Sequence, residues 1–205
     1  MAKKIKTVLL LGAPGCGKGT QGKTLGTLLG FTHVASGDLF RALDKNSEPG
    51  KIFSEYSSKG LLVPNDFTVR LWNDHMNRMI AAGKFNPQTD TLVLDGIPRN
   101  VAQAKMLDQH IEVVKLVVLS VDRDREEVVR RLQLRATKEG RLDDAKEEVV
   151  RRRLEVYDKE TAPVLSYYPA KLCVTVDALQ KPLEVAHDII SGLLDRTQEL
   201  RSVKA

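Results

Sequence analysis

Apolar positions along the chain follow two rhythms. Four short runs, at 7–11, 91–94, 113–121 and 172–176, are nearly continuous and rich in β-branched residues. That is the pattern of strands buried on both faces of a parallel sheet. A fifth strand, at 33–35, is predicted from its position alone. Between the strands, apolar residues recur at helical spacing over 18–29, 64–82, 124–138, 144–165 and 183–194. Asp144-Ala145-Lys146-Glu147 reads as an Asp-capped box opening the fourth of these helices. Alternation of this kind predicts an α/β fold with a five-stranded parallel sheet flanked by helices. Two segments interrupt it. Residues 36–64 hold two short helical pieces separated by 45–50 with no strand between, and 136–144 form a polar loop flanked by Arg135 and Arg141. Insertions into a regular βαβ fold are where lids and substrate domains sit.

Composition narrows the class. With 205 residues, 42% hydrophobic and 29% charged, the chain has ample material for one compact core. The net charge of +5 is mild, but nine of the fifteen arginines fall between Arg123 and Arg153. Such a cluster is either a solvated helix face or a surface that wraps a polyanion. Nucleic acid is disfavoured as that polyanion, since aromatics make up 5% and none interleave with the cluster. Cys16 and Cys173 are far apart and no C-x-x-C pair occurs, which argues against a structural zinc site. The basic start of the chain leads into an apolar run too short for an export signal, and no stretch approaches membrane-spanning length. A reducing cytoplasmic setting and free thiols are the expectation.

One motif carries chemistry. The strand at 7–11 runs directly into Gly12-Ala13-Pro14-Gly15-Cys16-Gly17-Lys18-Gly19-Thr20, and a helix follows. This is a P-loop in its required strand–turn–helix context. Backbone N–H groups nest phosphate oxygens, glycines allow close approach, and the helix N-terminus adds positive potential. The bland alternative is a Gly-rich turn with a surface lysine. Gly19 stands where many P-loops place the magnesium-binding Ser or Thr, so metal contact is expected to run through water. Cys16 reads as a small filler.

Further motifs follow in order: Ser36-Gly37-Asp38-Leu39-Phe40-Arg41; Asp95-Gly96-Ile97-Pro98-Arg99 with Gln103; and Arg131, Arg135, Gly140-Arg141-Leu142-Asp143-Asp144, Arg153-Leu154-Glu155-Val156-Tyr157 and Thr161-Ala162-Pro163. With the loop Gly12 to Gln21, this series resembles the adenylate kinases over nearly the whole chain. The resemblance implies a P-loop NTPase-type core (1–35, 65–133 and 146–205), a helical monophosphate-binding insertion (36–64) and a short lid (134–145). That lid lacks the longer hairpin some relatives pin with zinc. It implies a monomer that moves a phosphoryl group from Mg-ATP to AMP, with magnesium and no structural zinc. Donor contacts are implied for Gly15, Cys16, Gly17, Lys18, Gly19, Thr20, Arg131 and Arg135. Acceptor contacts are implied for Ser36, Arg41, Leu62, Val63, Gly96 and Arg99, with Gln103 meeting the base and Arg141 and Arg153 closing over the phosphates. Lys18, Arg99, Arg135, Arg141 and Arg153 are the implied catalytic set.

The chemistry accounts for those residue types. Phosphoryl transfer needs positioning and charge neutralisation more than covalent help, and arginine forks match phosphate oxygens bidentately. Arg131 and Arg135 are four apart and share a helix face, a spacing that a solvated face would also show. Asp95 closes a predicted buried strand at its carboxyl end; it is either a turn-forming Asp before Gly or a water-mediated magnesium ligand. The chain departs from the family pattern at Ser36 (usually Thr), at Ile97 (usually Phe), and by one extra residue between Asp144 and Arg153. The four-residue spacing to Tyr157 selects Arg153 over Arg152. Two competing readings are a UMP/CMP kinase, disfavoured by Gln103, and a P-loop binding module without turnover, which has no need of Arg41 and Arg99. A GTPase is less favoured still, since no Asn-Lys-x-Asp signature occurs.

Overall fold

In the computed structural model, which describes residues 4–140, 144 and 146–194, β1 (Ile5–Gly12) is the central strand. It pairs in parallel with β3 (Thr91–Asp95) on one side and β4 (Ile111–Ser120) on the other. β2 (Phe31–Ala35) and β5 (Cys173–Asp177) form the edges, giving the order β2-β3-β1-β4-β5. Alternation along β1 sends side chains to two separate cores. Ile5, Leu9 and Leu11 pack with Trp72, Met76 and Phe85. Val8 and Leu10 pack on the opposite face with Leu25, Val128 and Ile189. Burial on both faces is what the uninterrupted apolar runs anticipate.

Helices α1 (Lys18–Leu25), α6 (Arg125–Glu139) and α9 (Pro182–Leu194) contribute buried residues to the second core. α4 (Asn65–Ala81) and α5 (Val101–Leu107) cover the first. α2 (Ser36–Arg41) and α3 (Glu48–Ser58) lie within the 36–64 segment. They are pinned by Phe40 stacked on Phe53, ring centroids 5.1 Å apart. Ser47 caps α3, accepting from the Gly50 N–H at 3.2 Å.

Two predicted helices change. The helix expected over 18–29 stops at Leu25, and tight backbone bonds at Thr27 and Leu28 close its last turn. Leu28 and Leu29 extended the apolar pattern, yet both are exposed. The short α5 leaves no mark in the apolar rhythm, because seven residues span barely two turns. The helix expected over 144–165 is broken. α7 (Glu147–Val156) passes into a π-turn, Tyr157–Thr161, and then α8 (Val164–Tyr167). Pro163 has no N–H to give the Lys159 carbonyl, and the backbone widens so that Ala162 N–H donates to Tyr157 O at 2.9 Å.

α1 lies so close to β2 that a Cβ at Gly22 would sit 2.3 Å from His33 Nε2. Gly22→Ala improves helix propensity but overpacks this contact. We expect a net loss of about 1–3 kcal/mol, a Tm lower by roughly 2–12 °C at this chain length. Pairing it with His33→Ala should recover most of the loss in a double-mutant cycle. An unchanged Tm for Gly22→Ala would show that α1 tolerates displacement from the sheet.

Candidate active site

The carboxyl ends of β1 and β3 open into a cleft of about 630 Å³, the place where ligands sit in open parallel sheets and within the usual size range of small-molecule sites. The loop leaving β1 needs backbone that only glycine adopts freely. Gly17, at the N-cap of α1, has φ 101°, in the left-handed region. Lys18 folds back over the loop. Its Nζ donates to Gly12 O at 2.7 Å and Ala13 O at 3.0 Å, and lies 3.6 Å from Cys16 Sγ. Cys16 is buried, as a filler should be, though it also reaches the cleft wall.

The cleft gathers cations from five segments: Lys18 from the loop, Arg41 from α2, Arg99 after β3, Arg131 and Arg135 from α6, and Arg153 from α7. Each has an oxygen partner. Arg41 donates to Asp38 at 2.6 Å, and Arg99 Nε to Gly96 O at 2.8 Å. Arg131 bridges Glu127, at 2.9 Å, and Ala178 O, also at 2.9 Å. The bonds from Arg131 and Arg130 hold the Glu127 carboxyl below its usual range. Arg135 donates to Asp144 Oδ2 through Nε at 2.8 Å and through a second nitrogen at 2.6 Å, and Arg153 takes the other carboxylate oxygen.

Asp144 is therefore not the helix cap its sequence position suggested. α7 begins three residues later, and the fully buried carboxylate joins α6 to α7 through two arginines. No local pattern distinguishes a capping Asp from one captured by guanidinium groups nine residues away on either side. Arg153 lines the cleft, whereas Arg152 pairs with Glu155 and is more than half exposed. Arg141 lies outside the described residues.

Gly15, Gly17, Gly19, Thr20, Leu62 and Val63 also line the cleft, as do Asp95, Gly96 and Gln103. Ser36 does not. It is buried behind Gly96, donating to Gly96 O at 2.7 Å, so its hydroxyl hydrogen is committed away from any base. Gly96 has φ 77°, and a Cβ there would meet Ser36 Oγ at 2.7 Å. Gln103 is buried at the wall with both ends of its amide engaged. Thr161, on the π-turn, donates to Arg99 O at 2.7 Å and ties that turn to Arg99. Tyr157 lines the cleft beside Cys16. Burial, and then the nearby Cys16, Asp122 and Asp158, push its phenol up to about 12, so it brings no negative charge at neutral pH. Neither Tyr157 nor Thr161 carries a sequence signal of its own beyond membership of the motifs.

The donor set for a divalent cation is sparse: among the described residues no three His, Cys, Asp or Glu side chains cluster. Asp95 is buried at the end of β3 with Oδ2 3.9 Å from the point a Gly19 Cβ would occupy. One carboxylate facing the bare backbone of Gly19 fits magnesium, which keeps several waters and takes its other ligands from phosphates.

The family profile described as adenylate kinase matches residues 10–172. The chain belongs to the adenylate kinase family. The adenylate kinase of Thermobifida fusca is 40% identical over 194 residues, covering 92% of this chain and 98% of that protein. That of Kocuria rhizophila is 38% identical over 191 residues, 91% and 97% of the two chains. An adenylate kinase from a Cyanothece strain is 37% identical over 187 residues, 89% and 92%. The five-stranded parallel sheet and flanking helices agree with this family fold. Among the described residues, no helix is long and apolar enough to cross a membrane.

The Asp144 junction has a measurable consequence. Asp144→Asn leaves an amide facing two guanidinium groups, which are themselves 26% and 17% exposed. We expect unfolding in urea to lose about 1–3 kcal/mol, less than a fully buried pair because solvent reaches both partners. A midpoint equal to wild type would mean the carboxylate contributes no net attraction.

Proposed function

We propose that the chain catalyses reversible transfer of the γ-phosphoryl group of Mg-ATP to AMP, giving two ADP. The observation that carries this reading is the meeting of a phosphate loop with Arg41, Arg99, Arg131, Arg135 and Arg153 in one cleft. A module that only bound ATP would have use for the loop but none for Arg41 and Arg99. In the proposed arrangement Lys18 and the backbone of 15–20 hold the donor phosphates, joined by Arg131 and Arg135. Arg41 and Arg99 hold the acceptor phosphate, with Leu62, Val63 and Gly96 against the nucleoside and Gln103 at the base. Arg135, Arg153 and Arg141 neutralise charge on the group in transit. Asp95 would hold magnesium through water; the bound ion supplies charge neutralisation across the phosphates.

We also read residues 36–64 as the acceptor insertion and 134–145 as a short lid that excludes water. Ser36, by its geometry, supports the base-side wall from behind Gly96. We take the chain to act as a monomer, with ATP and AMP in the cytosol as its partners.

Three measurements test the reading. Lys18→Ala should lower kcat by about 10²- to 10³-fold with the urea midpoint retained, since the partners of Lys18 are oxygens and one sulfur of its own loop. Wild-type turnover in this variant would overturn the site. In a coupled assay of ADP formation, AMP should be the best acceptor, CMP slower and UMP slower again. A higher kcat/KM for CMP or UMP would keep the kinase and change its acceptor. Stoichiometric zinc in the purified protein would contradict the magnesium-only reading.

A further inference from the structure

Four polar groups next to the base-side wall form a chain whose direction is fixed at both ends. Asn100 caps α5, its Oδ1 accepting from the Gln103 backbone N–H at 2.9 Å. A backbone N–H can only donate, so the other arm of Asn100 must be its NH₂. That Nδ2 donates to Asn65 Oδ1 at 2.9 Å. The same Asn65 oxygen accepts from Gln103 Nε2 at 3.0 Å. Gln103 Oε1 in turn accepts from the Arg99 backbone N–H at 2.7 Å. Every amide in the series has a single orientation that satisfies it. Turning Gln103 over would set Nε2 against the Arg99 N–H and Oε1 against Asn65 Oδ1, two mismatches at a nearly fully buried side chain.

We propose that Asn65, at the first turn of α4, is a positioning residue for acceptor recognition: together with the Arg99 backbone N–H, it fixes which end of the Gln103 amide donates and which accepts. The inference rests on the reading that Gln103 meets the base. Two of the four hydrogen-bonding positions of the amide are spent on Asn65 and Arg99; one Nε2 hydrogen and one Oε1 lone pair remain. A locked amide presents a donor and an acceptor in one order only. Adenine offers an acceptor at N1 and a donor at N6 in the complementary order. Hypoxanthine, on a purine of the same size, reverses both. Asn65 thereby acts on fidelity between 6-amino and 6-oxo purines without touching the nucleotide.

The test compares the KM for AMP with the inhibition constant for IMP, using Mg-ATP as donor, in wild type, Asn65→Ala, Asn65→Asp and Gln103→Ala. Asn65→Ala removes the acceptor while keeping a good helix former; Asn65→Asp keeps the acceptor. The ratio of the IMP constant to the AMP constant should fall about 5- to 30-fold in Asn65→Ala. It should stay within about threefold of wild type in Asn65→Asp, with the KM for ATP unchanged in both. Gln103→Ala should lose the discrimination as well. If Gln103→Ala loses it and Asn65→Ala keeps it, the positioning role is overturned and the base reading stands. If Asn65→Asp falls as far as Asn65→Ala, the oxygen is not what matters and the inference fails. If Gln103→Ala retains the wild-type ratio, the base is not read there and the inference falls with that reading.

Discussion

Gathering Lys18, Arg41, Arg99, Arg131, Arg135 and Arg153 around one cleft is the constraint on which the rest of this structure depends. Like charges at close quarters repel, and in a partly desolvated cleft each needs an oxygen partner. The protein supplies those partners itself. Loop carbonyls hold Lys18, Asp38 holds Arg41, Glu127 holds Arg131, and Asp144 holds Arg135 and Arg153. These oxygens occupy the cations much as phosphate oxygens would, so the cleft is organised before any nucleotide arrives. In the proposed function, bound phosphates would exchange one set of oxygens for another, and ligand charge would be met by side chains already near their places.

The scaffold makes that concentration feasible. A central strand buried on both faces delivers the phosphate loop to the carboxyl edge of the sheet, and its neighbour β3 ends there at Asp95. Glycines keep the approach open: Gly17 carries the left-handed turn into α1, and Gly96 lets Ser36 and Arg99 close around the backbone after β3. The π-turn before Pro163 is a local irregularity with a positional result, since it puts Tyr157 on the cleft wall and Thr161 on the Arg99 carbonyl.

How far this was legible in the sequence depends on the range of the interaction involved. The strands and the phosphate loop are local patterns, and β1, β3 and the loop lie within a residue or two of where periodicity and glycine spacing put them. Arg131 and Arg135 share a face because helix geometry requires it. What escaped depends on partners that only the packing of separate elements brings together. Asp144 looks like a cap until α6 and α7 bring Arg135 and Arg153 to it. Nothing local to Ser36 shows that its hydroxyl hydrogen goes to Gly96 O, sixty positions later. Gln103 looks like a free amide until Asn65, thirty-eight positions earlier, takes one end of it. The break at Pro163 was the exception. That signal was local, and the long amphipathic pattern on either side obscured it.

The central claim is that one cleft holds the donor and acceptor phosphate chains together. Calorimetric titration with two adenosines joined by five phosphates tests it most directly, because that molecule fills both halves at once. The account predicts one equivalent bound per chain, far more tightly than ATP, with Lys18→Ala and Arg99→Ala each weakening it. Two independent equivalents, or an affinity no better than that of ATP, would contradict it.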